Sequence, residues 1–303
     1  MKSKHFVSLG DLSRDDIWTF LDTAKQLKLE HKTGHSQHLL KDKTLAMIFQ
    51  KPSLRTRVSF EVGMTHLGGH AIYLTPSDIQ LGKRETTEDI AKVLSRYCDG
   101  IMARVFGHEI LEELAKHSDV PVINGLSDRE HPCQILGDLL TVWEKKQRIE
   151  GLKLAWIGDG NNVCHSWLQA APKLGMSVSV ACPKGFEPDD KIVEYAEKFG
   201  PKVEVVHNAE EAVSKANVLY TDVWASMGQE EVAEQKKGSF KGFRITKELL
   251  KQANPDAIVM HCLPAHYDEE IAYEVAHGPQ GVIFDEAENR LHAQKAIMAL
   301  LMQ

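Results

Sequence analysis

The chain has 303 residues, 43% hydrophobic and 26% charged, a balance typical of a globular protein long enough for two domains. Its 36 basic and 43 acidic residues give a net charge of −7, which argues against nucleic acid as a partner. The N-terminus lacks an apolar signal core, and no apolar run reaches the ~20 residues of a membrane span. We therefore expect a cytoplasmic protein with no membrane partner.

Neither the cysteine nor the histidine spacing indicates a metal site. No C-x-x-C pair occurs among the five cysteines, which are Cys98, Cys133, Cys164, Cys182 and Cys262. This pattern argues against a disulfide framework or a structural zinc site and favours a reducing compartment. The 15 histidines include no H-E-x-x-H or comparable ligand spacing, so we expect no catalytic metal.

The first half of the chain alternates between apolar strands and amphipathic helices. Ser13 and Asp16 form a capping-box start for a first helix, whose apolar residues recur at helical spacing. The pattern then predicts strands at 44–50, 71–74, 100–103 and 120–124, and helices at 54–67, 87–97 and 108–117. This repeated β-α-β order predicts a parallel sheet with helices on both faces.

A helix that Pro132 opens leads to a charged exit at 144–151, which we interpret as the connection between two domains. The second half again alternates, with strands predicted at 152–157, 177–182, 203–207, 217–221, 257–262 and 282–284. A closing helix is predicted at 288–302. We therefore predict an α/β protein of two doubly wound, parallel-sheet domains at 1–134 and 151–287, with 135–150 as the connecting helix.

Residues 51–61 lie where the first main strand turns into a helix. A helix N-terminus directs free backbone N–H groups and a positive dipole end at one point. Ser53 and Thr56 add hydroxyls at this point, and Arg55 and Arg57 add guanidinium groups. The stretch therefore predicts a phosphate site, the alternative being an ordinary N-cap with two solvated arginines.

Other reactive side chains also follow predicted strands, where ligands bind open parallel sheets. In the first half they are cationic or hydrogen-bond donating, namely Arg104, His131 and Gln134; in the second half they are Asn162, Asp222 and Cys262. Taken singly, each has an ordinary explanation, such as a surface arginine or a core cysteine. Their common placement predicts an anionic substrate on the first domain and an amine-bearing substrate on the second, in a cleft between them.

Two other chemistries are disfavoured by the sequence. Gly158 and Gly160 begin a dinucleotide fingerprint, but Val163 replaces its third glycine and no acidic residue ends the next strand. Cys262 follows His261, and neighbours on a strand point to opposite faces, so this histidine is badly placed as the base of a nucleophilic cysteine unless a loop reorients it.

Four motifs occur in an order that resembles the ornithine carbamoyltransferases: SLRTR at 53–57, HPCQ at 131–134, DVWASMG at 222–228 and HCLP at 261–264. The resemblance covers essentially the whole chain and implies domains for carbamoyl phosphate and for ornithine. It also implies that the helix at 288–303 packs back on the first domain. Leu54 departs from the pattern, because many members carry threonine there.

The resemblance assigns site residues to each substrate. It implies that carbamoyl phosphate is bound by Ser53, Leu54, Arg55, Thr56, Arg104, His131 and Gln134. It implies that ornithine is bound by Asn162, Asp222, Ser226 and Met227. Cys262, Leu263 and Arg290 would line the meeting point of the substrates, and Gln80 would reach the phosphate from the adjacent subunit of a homotrimer.

The activity implied is carbamoyl transfer from carbamoyl phosphate to the δ-amine of ornithine, with no cofactor. Arg104 and His131 would stabilise the oxyanion, while Asp222 and Cys262 would orient the amine. Three alternatives remain: a transferase acting on putrescine or an acylated ornithine, a dinucleotide oxidoreductase, and a non-catalytic metabolite-binding module. The Ser226-Met227 motif argues against acylated substrates.

Overall fold

A computed structural model of the protein describes residues 3–35, 37–79, 84–225 and 238–303. The chain divides into two compact units. The first unit contains Met1–Leu140 and Glu288–Gln303, and the second contains Thr141–Ala287. Within the described ranges, none of the helices combines the length and apolar character needed to cross a lipid bilayer.

The first unit is built around a parallel sheet of four strands: β1 (Thr44–Phe49), β2 (His70–Leu74), β3 (Gly100–Arg104) and β4 (Val122–Leu126). Their order is β2-β1-β3-β4, and every pairing is parallel. The accompanying helices are α1 (Arg14–Lys32), α2 (Leu54–His66), α3 (Pro76–Ile79), α4 (Thr87–Tyr97) and α5 (His108–His117). The capping box predicted at Ser13 and Asp16 is confirmed.

The second unit contains a parallel sheet of five strands: β5 (Lys153–Ile157), β6 (Ser177–Ala181), β7 (Val203–Val206), β8 (Val218–Thr221) and β9 (Ile258–His261). Their order is β7-β6-β5-β8-β9. Its helices are α7 (Asn162–Ala170), α8 (Asp190–Glu197), α9 (Ala209–Val213), α10 (Lys247–Leu250) and α11 (Tyr273–Ala276). The predicted architecture of doubly wound parallel sheets is confirmed.

Two helices run across the boundary between the units. Helix α6 (Pro132–Lys146) begins in the first unit and ends in the second, while α12 (Ile283–Leu301) begins in the second unit and continues into the first. Gly137 of α6 leaves little space for a side chain, since an added Cβ would lie 3.1 Å from the backbone nitrogen of Arg290 in α12. This close approach brings Arg290 beside the start of α6.

The strand predicted at 282–284 is wrong, because α12 already begins at Ile283. Gly281 forms a single parallel bridge to Val259, and the Val282 N–H donates to the Val259 carbonyl at 2.9 Å. Beyond that bridge, Asp285 and Glu286 occupy the first helical turn, where carboxylates stabilise the positive end of the dipole. Short apolar runs do not distinguish strand from buried helix by themselves.

Candidate active site

Four residues separate the end of β1 from the start of α2. Ser53 is the N-cap residue, and its hydroxyl accepts a hydrogen bond from the Thr56 N–H at 3.3 Å. The next residue, Leu54, turns its side chain to solvent and is 74% exposed. The backbone of this first turn therefore supplies N–H donors at a helix start, as the sequence predicted for an anion site.

The buried hydroxyl of Thr56 is the meeting point of two guanidinium groups. Arg104, at the end of β3, donates from Nη1 to Thr56 Oγ1 at 3.4 Å. Arg290, from α12, donates from Nη2 to the same oxygen, also at 3.4 Å. All three side chains are buried in the first unit, so the two cations lie together in a poorly hydrated place.

Gln134 and Asp138 fix the second edge of the Arg290 guanidinium. Arg290 Nη1 donates to Gln134 Oε1, and Gln134 Nε2 donates to Asp138 Oδ1 at 2.7 Å. Asp138 lies one helical turn after Gln134 and is fully buried. The sequence analysis assigned Gln134 to the site but missed Asp138, although the spacing of four residues on one helix is a usable signal.

His131 lies immediately before α6 and is also buried. Burial, reinforced by the positive charges of Arg290, Arg104 and Arg55, holds the pKa of His131 well below its ordinary value. The imidazole is therefore uncharged at neutral pH. We call Arg55, Arg104 and Arg290, with His131 beside them, the arginine cluster.

The arginine cluster lies at the switch point of the first sheet. Strands β1 and β3 are neighbours, and the chain leaves β1 toward β2 on one side and returns to β3 on the other. Ligands of doubly wound sheets bind where the strand order reverses in this way, beyond the carboxyl ends. Arg104 ends β3, and the turn to Ser53 follows β1, so the predicted placement at one sheet edge is confirmed.

Arg57 does not belong to this cluster, although the sequence analysis grouped it with Arg55. Its Nε donates to Glu61 at 2.9 Å, and its guanidinium lies 3.9 Å above the ring of Tyr73. The side chain is 48% exposed. Arg57 occupies the outer face of α2, because successive residues of a helix point in different directions.

In the second unit, Asp222 follows β8 and is surrounded by donors. The Asn161 amide donates to Asp222 Oδ2 at 2.8 Å, while the Val223 N–H and the Cys262 thiol donate to Oδ1 at 2.8 and 3.0 Å. We call Asn161, Asp222 and Cys262 the Asp222 cluster. It lies at the second switch point, since β5 and β8 are neighbours at the centre of the sheet.

The contact to Asp222 comes from Asn161, whereas the sequence analysis assigned Asn162 to the site. Asn161 is the N-cap of α7, where its Oδ1 accepts from the Val163 and Cys164 N–H groups at 2.9 and 3.2 Å. This arrangement leaves its amide nitrogen to donate to Asp222. Asn162 is the first residue of the helix and is half-buried. Two consecutive asparagines at a helix start indicate that one of them is the N-cap residue, but the sequence does not tell which one.

Cys262 and Leu263 follow β9. Leu263 has φ of +58°, a left-handed conformation that is strained for a branched side chain. His261 does not hydrogen-bond Cys262, because its Nδ1 accepts from the Leu263 N–H and its Nε2 contacts Glu270 Oε1, both at 2.9 Å. The expectation that His261 is badly placed as a base for Cys262 agrees with these partners.

Two groups of side chains in the described part of the second unit could hold a metal ion. Asp222, His261 and Cys262 bring ligand atoms within 4.8 Å of one another, and so do His266, Glu269 and Glu270. Neither group is evident in the sequence, because the ligands come from a loop and from separate strand ends rather than from one motif. Nitrogen, sulfur and carboxylate ligands of this kind suit zinc-like ions.

The glycine turn after β5 is filled by the protein itself. A Cβ at Gly160 would lie 2.2 Å from the backbone nitrogen of Pro188, and the Gly160 N–H donates to the Phe186 carbonyl at 2.9 Å. In a dinucleotide fingerprint, the second glycine allows the backbone to approach the pyrophosphate. Here the segment before Pro188 takes that space, which argues against a dinucleotide.

Three predicted site residues, Gln80, Ser226 and Met227, lie outside the described residues. The remaining ones are divided between the units: the arginine cluster and its neighbours lie in the first, and the Asp222 cluster and its neighbours in the second. The fold and these groups define a class of protein: an α/β protein of two units, the first suited to a phosphate-bearing ligand and the second to an amine.

Comparison with known proteins identifies the family within this class. The family model described as "Aspartate/ornithine carbamoyltransferase, carbamoyl-P binding domain" matches residues 4–144. The corresponding Asp/Orn binding domain matches residues 150–301. The chain belongs to the aspartate/ornithine carbamoyltransferase family, which confirms the resemblance seen in its four motifs.

Individual relatives are similar over their full length. An ornithine carbamoyltransferase of Pyrococcus abyssi is 55% identical over 306 residues, covering 100% of this chain and 96% of that protein. The structure of ornithine carbamoyltransferase from Pyrococcus furiosus aligns with a TM-score of 0.96 at 54% identity, covering 98% of this chain and 96% of its own. The Thermus thermophilus enzyme aligns with a TM-score of 0.92 at 45% identity, covering 100% of both chains.

Proposed function

We propose that the protein transfers the carbamoyl group of carbamoyl phosphate to the δ-amine of L-ornithine, giving L-citrulline and phosphate. The observation that carries this proposal is the arginine cluster, in which buried cations meet at a helix N-terminus. Like charges buried together require an anion to offset their repulsion and lost hydration. The full-length relatives named as ornithine carbamoyltransferases make carbamoyl phosphate the ligand of choice.

Both the phosphate and the carbamoyl oxygen of carbamoyl phosphate would find hydrogen-bond donors in or beside the arginine cluster. The phosphate would receive the backbone N–H groups that follow Ser53 and the guanidinium of Arg55, as anions at helix starts do. The carbamoyl oxygen would receive donors from Arg104, His131 and Thr56. Arg290 and Gln134 are joined to each other and to Thr56, so they would hold this pocket in shape.

The developing oxyanion is the largest electrostatic demand of the reaction. Preorganised donors aimed at such an oxygen commonly supply a large share of the rate enhancement. Arg104 is held by Thr56, so it need not reorganise during the reaction. The lowered pKa of His131 keeps its imidazole neutral. It can then donate one N–H without adding a fourth positive charge to the cluster.

Ornithine would be held by the Asp222 cluster. The Asp222 carboxylate accepts from Asn161, Val223 and Cys262, which fixes its orientation toward an incoming amine. The δ-amine must lose a proton before it attacks, and a free alkyl amine has a pKa of about 10.4 by analogy with lysine. Removal from water and correct positioning lower that cost. The departing phosphate can accept the proton.

A citrulline assay tests the proposal directly. Purified protein is incubated with carbamoyl phosphate and ornithine, and citrulline is measured colorimetrically. We expect citrulline to form in proportion to enzyme concentration and phosphate to inhibit competitively against carbamoyl phosphate. No citrulline at millimolar concentrations of both substrates would refute the assignment.

The sister activity, transfer to putrescine or an acylated ornithine, is tested in the same assay by exchanging the amine. The 226–228 motif and the names of the relatives favour ornithine. We expect kcat/KM to be highest with ornithine. A higher value with another amine would move the protein to that sister activity.

The family resemblance also leads us to propose a homotrimer in which Gln80 of one subunit reaches the phosphate of the next. Light scattering coupled to size-exclusion chromatography would measure the mass of the assembly. A monomer that is active at assay concentrations would contradict this proposal.

A further inference from the structure

A buried histidine–glutamate pair lies directly behind the Cys262–Leu263 turn. His261 and Glu270 are both 0% exposed, and His261 Nε2 is 2.9 Å from Glu270 Oε1. The proposed chemistry gives neither residue a task. Buried polar pairs cost desolvation, so their presence next to the reacting groups calls for a physical explanation.

The partners of His261 define its tautomer. Its Nδ1 faces the Leu263 N–H at 2.9 Å, and a backbone N–H can only donate. Nδ1 therefore accepts, the ring proton resides on Nε2, and Nε2 donates to Glu270. The backbone N–H of His261 donates to Glu286 Oε2 at 2.9 Å, which anchors the residue from a second side.

One oxygen of Glu270 accepts hydrogen bonds from both ends of the loop at 261–266. This atom, Oε1, accepts from His261 Nε2 and from the His266 N–H, the latter at 2.7 Å. Between these two attachment points lies Leu263 with its left-handed φ of +58°. A strained backbone persists only where its surroundings hold it, and here the His261 ring and the Glu270 carboxylate do so.

The turn held in this way carries one of the three donors to Asp222. Cys262 donates its thiol to Asp222 Oδ1 at 3.0 Å, and Leu263 is the next residue. We propose that Glu270 and His261 are positioning residues: they fix the Leu263 turn and thereby the Cys262 thiol beside the Asp222 carboxylate that receives the amine. This inference rests on the proposed function and adds two residues that do not touch substrate.

Substitutions of Glu270 test the pair by comparing the two substrates. In Glu270→Ala, both attachment points are lost, and we expect kcat/KM for ornithine to fall by at least about tenfold. The KM for carbamoyl phosphate should stay within about threefold of the wild type. Glu270→Gln keeps an oxygen that can accept both hydrogen bonds, so it should recover most of the ornithine activity.

Substitutions of His261 separate its two hydrogen bonds. Asparagine places an acceptor near the Nδ1 position, and glutamine places an N–H near the Nε2 position. If the bond to Leu263 sets the turn, His261→Asn should keep a higher kcat/KM for ornithine than His261→Gln. The reverse order would overturn the role of that bond, and these milder variants decide the matter if Glu270→Ala fails to fold.

Ser179→Ala is the matched structural control. It removes another hydrogen bond of this unit, from the buried Ser179 hydroxyl on β6 to Glu204, and β5 and β8 separate β6 from β9. We expect it to lower the melting temperature but to leave the KM for ornithine near the wild-type value. If Glu270→Ala lowers activity only as much as Ser179→Ala, or equally for both substrates, the positioning role is wrong. Absence of citrulline with the wild type would instead refute the proposed function.

Discussion

The arginine cluster gathers two buried guanidinium groups around one hydroxyl, with Arg55 and a neutral imidazole near them, whereas the Asp222 cluster holds one carboxylate among neutral donors. In the first, the side chains of like charge repel one another until an anion binds. In the second, the carboxylate is already hydrogen-bonded by Asn161, Val223 and Cys262. Ligand binding in the first unit should therefore depend mainly on neutralising charge. In the second unit it should depend mainly on hydrogen-bond geometry.

The two clusters should differ in how much their ligands stabilise the protein. A ligand that binds only the folded state raises the free energy of unfolding with the logarithm of its concentration relative to the dissociation constant. Because an anion also relieves repulsion among Arg55, Arg104 and Arg290, phosphate-bearing ligands should stabilise the protein strongly. Ornithine meets a carboxylate whose neighbours are neutral, so its effect should be weaker.

The largest effect is expected from Arg104→Ala. This change removes a buried donor that Thr56 holds in place, and losing one oxyanion donor typically costs about 2.7–4 kcal/mol of transition-state stabilisation. We expect kcat to fall by about 10²–10³, measured as citrulline formed at saturating concentrations of both substrates.

Arg57→Ala is the matched control for that prediction. Arg57 lies on the same helix as the anion site but contacts Glu61 and the ring of Tyr73. Its loss should leave kcat near the wild-type value, since exposed ion pairs contribute little. Unchanged turnover in Arg104→Ala would remove Arg104 from the reaction.

A smaller effect is expected from Asp222→Asn, which removes the charge of the Asp222 cluster and replaces one of its two acceptor oxygens by an amide donor. A hydrogen bond to a charged group is worth roughly 1.5–3 kcal/mol. We therefore expect kcat/KM for ornithine to fall by about 10- to 100-fold, with the KM for carbamoyl phosphate nearly unchanged. Steady-state kinetics with each substrate varied in turn measure this split.

The control is Asp285→Asn, a surface carboxylate of the same unit that pairs with Lys145 at 2.8 Å. It should alter neither kinetic constant measurably. Equal losses for the two substrates in Asp222→Asn would show that the two clusters do not divide the substrates between them.

Stability at acid pH should depend on the first unit. Burial, aided by Lys28 and Lys295, lowers the pKa of His292 to about 3 despite the opposing charge of Glu288. An unfolded histidine titrates near 6.5, so between pH 7 and pH 5 the unfolded state binds the proton first, and stability falls as pH falls. For this one group the loss is about 2 kcal/mol at pH 5.

Urea denaturation of His292→Gln at pH 7 and pH 5 measures that contribution. The variant should lose about 2 kcal/mol less than the wild type over this interval. The wild type retains a pH dependence from His131 and His66, whose pKa values are also lowered, first by burial. His35→Gln, at an exposed position, should behave as the wild type; an identical slope in His292→Gln would contradict the assignment.

Much of the fold and the site could be predicted from the sequence because both follow simple rules. Alternating strands and helices require a parallel sheet, and its carboxyl ends gather the residues that follow each strand. Ser53, Arg104 and Asp222 were found in this way. Their position is determined by the strand that precedes them, which the apolar pattern marks clearly.

The residues that the sequence did not yield depend on tertiary contacts. Glu270 lies in a loop, and only the fold brings it against His261. Asn161 and Asn162 are equivalent in the sequence, and the turn geometry decides that Asn161 faces Asp222. Hydrophobic pattern and motif spacing carry no information about such contacts.

The smallest effect is expected at Leu54, the position where many family members carry threonine. Its side chain is 74% exposed, and as the first residue of α2 it offers its backbone N–H whatever its side chain. Leu54→Thr should therefore change the KM for carbamoyl phosphate by less than about twofold, below the roughly 2- to 13-fold expected for one neutral hydrogen bond of about 0.5–1.5 kcal/mol. A tenfold decrease in that KM would show that a hydroxyl at position 54 contacts the ligand. The arginine cluster would then rely on side chains at the helix start as well as on charge.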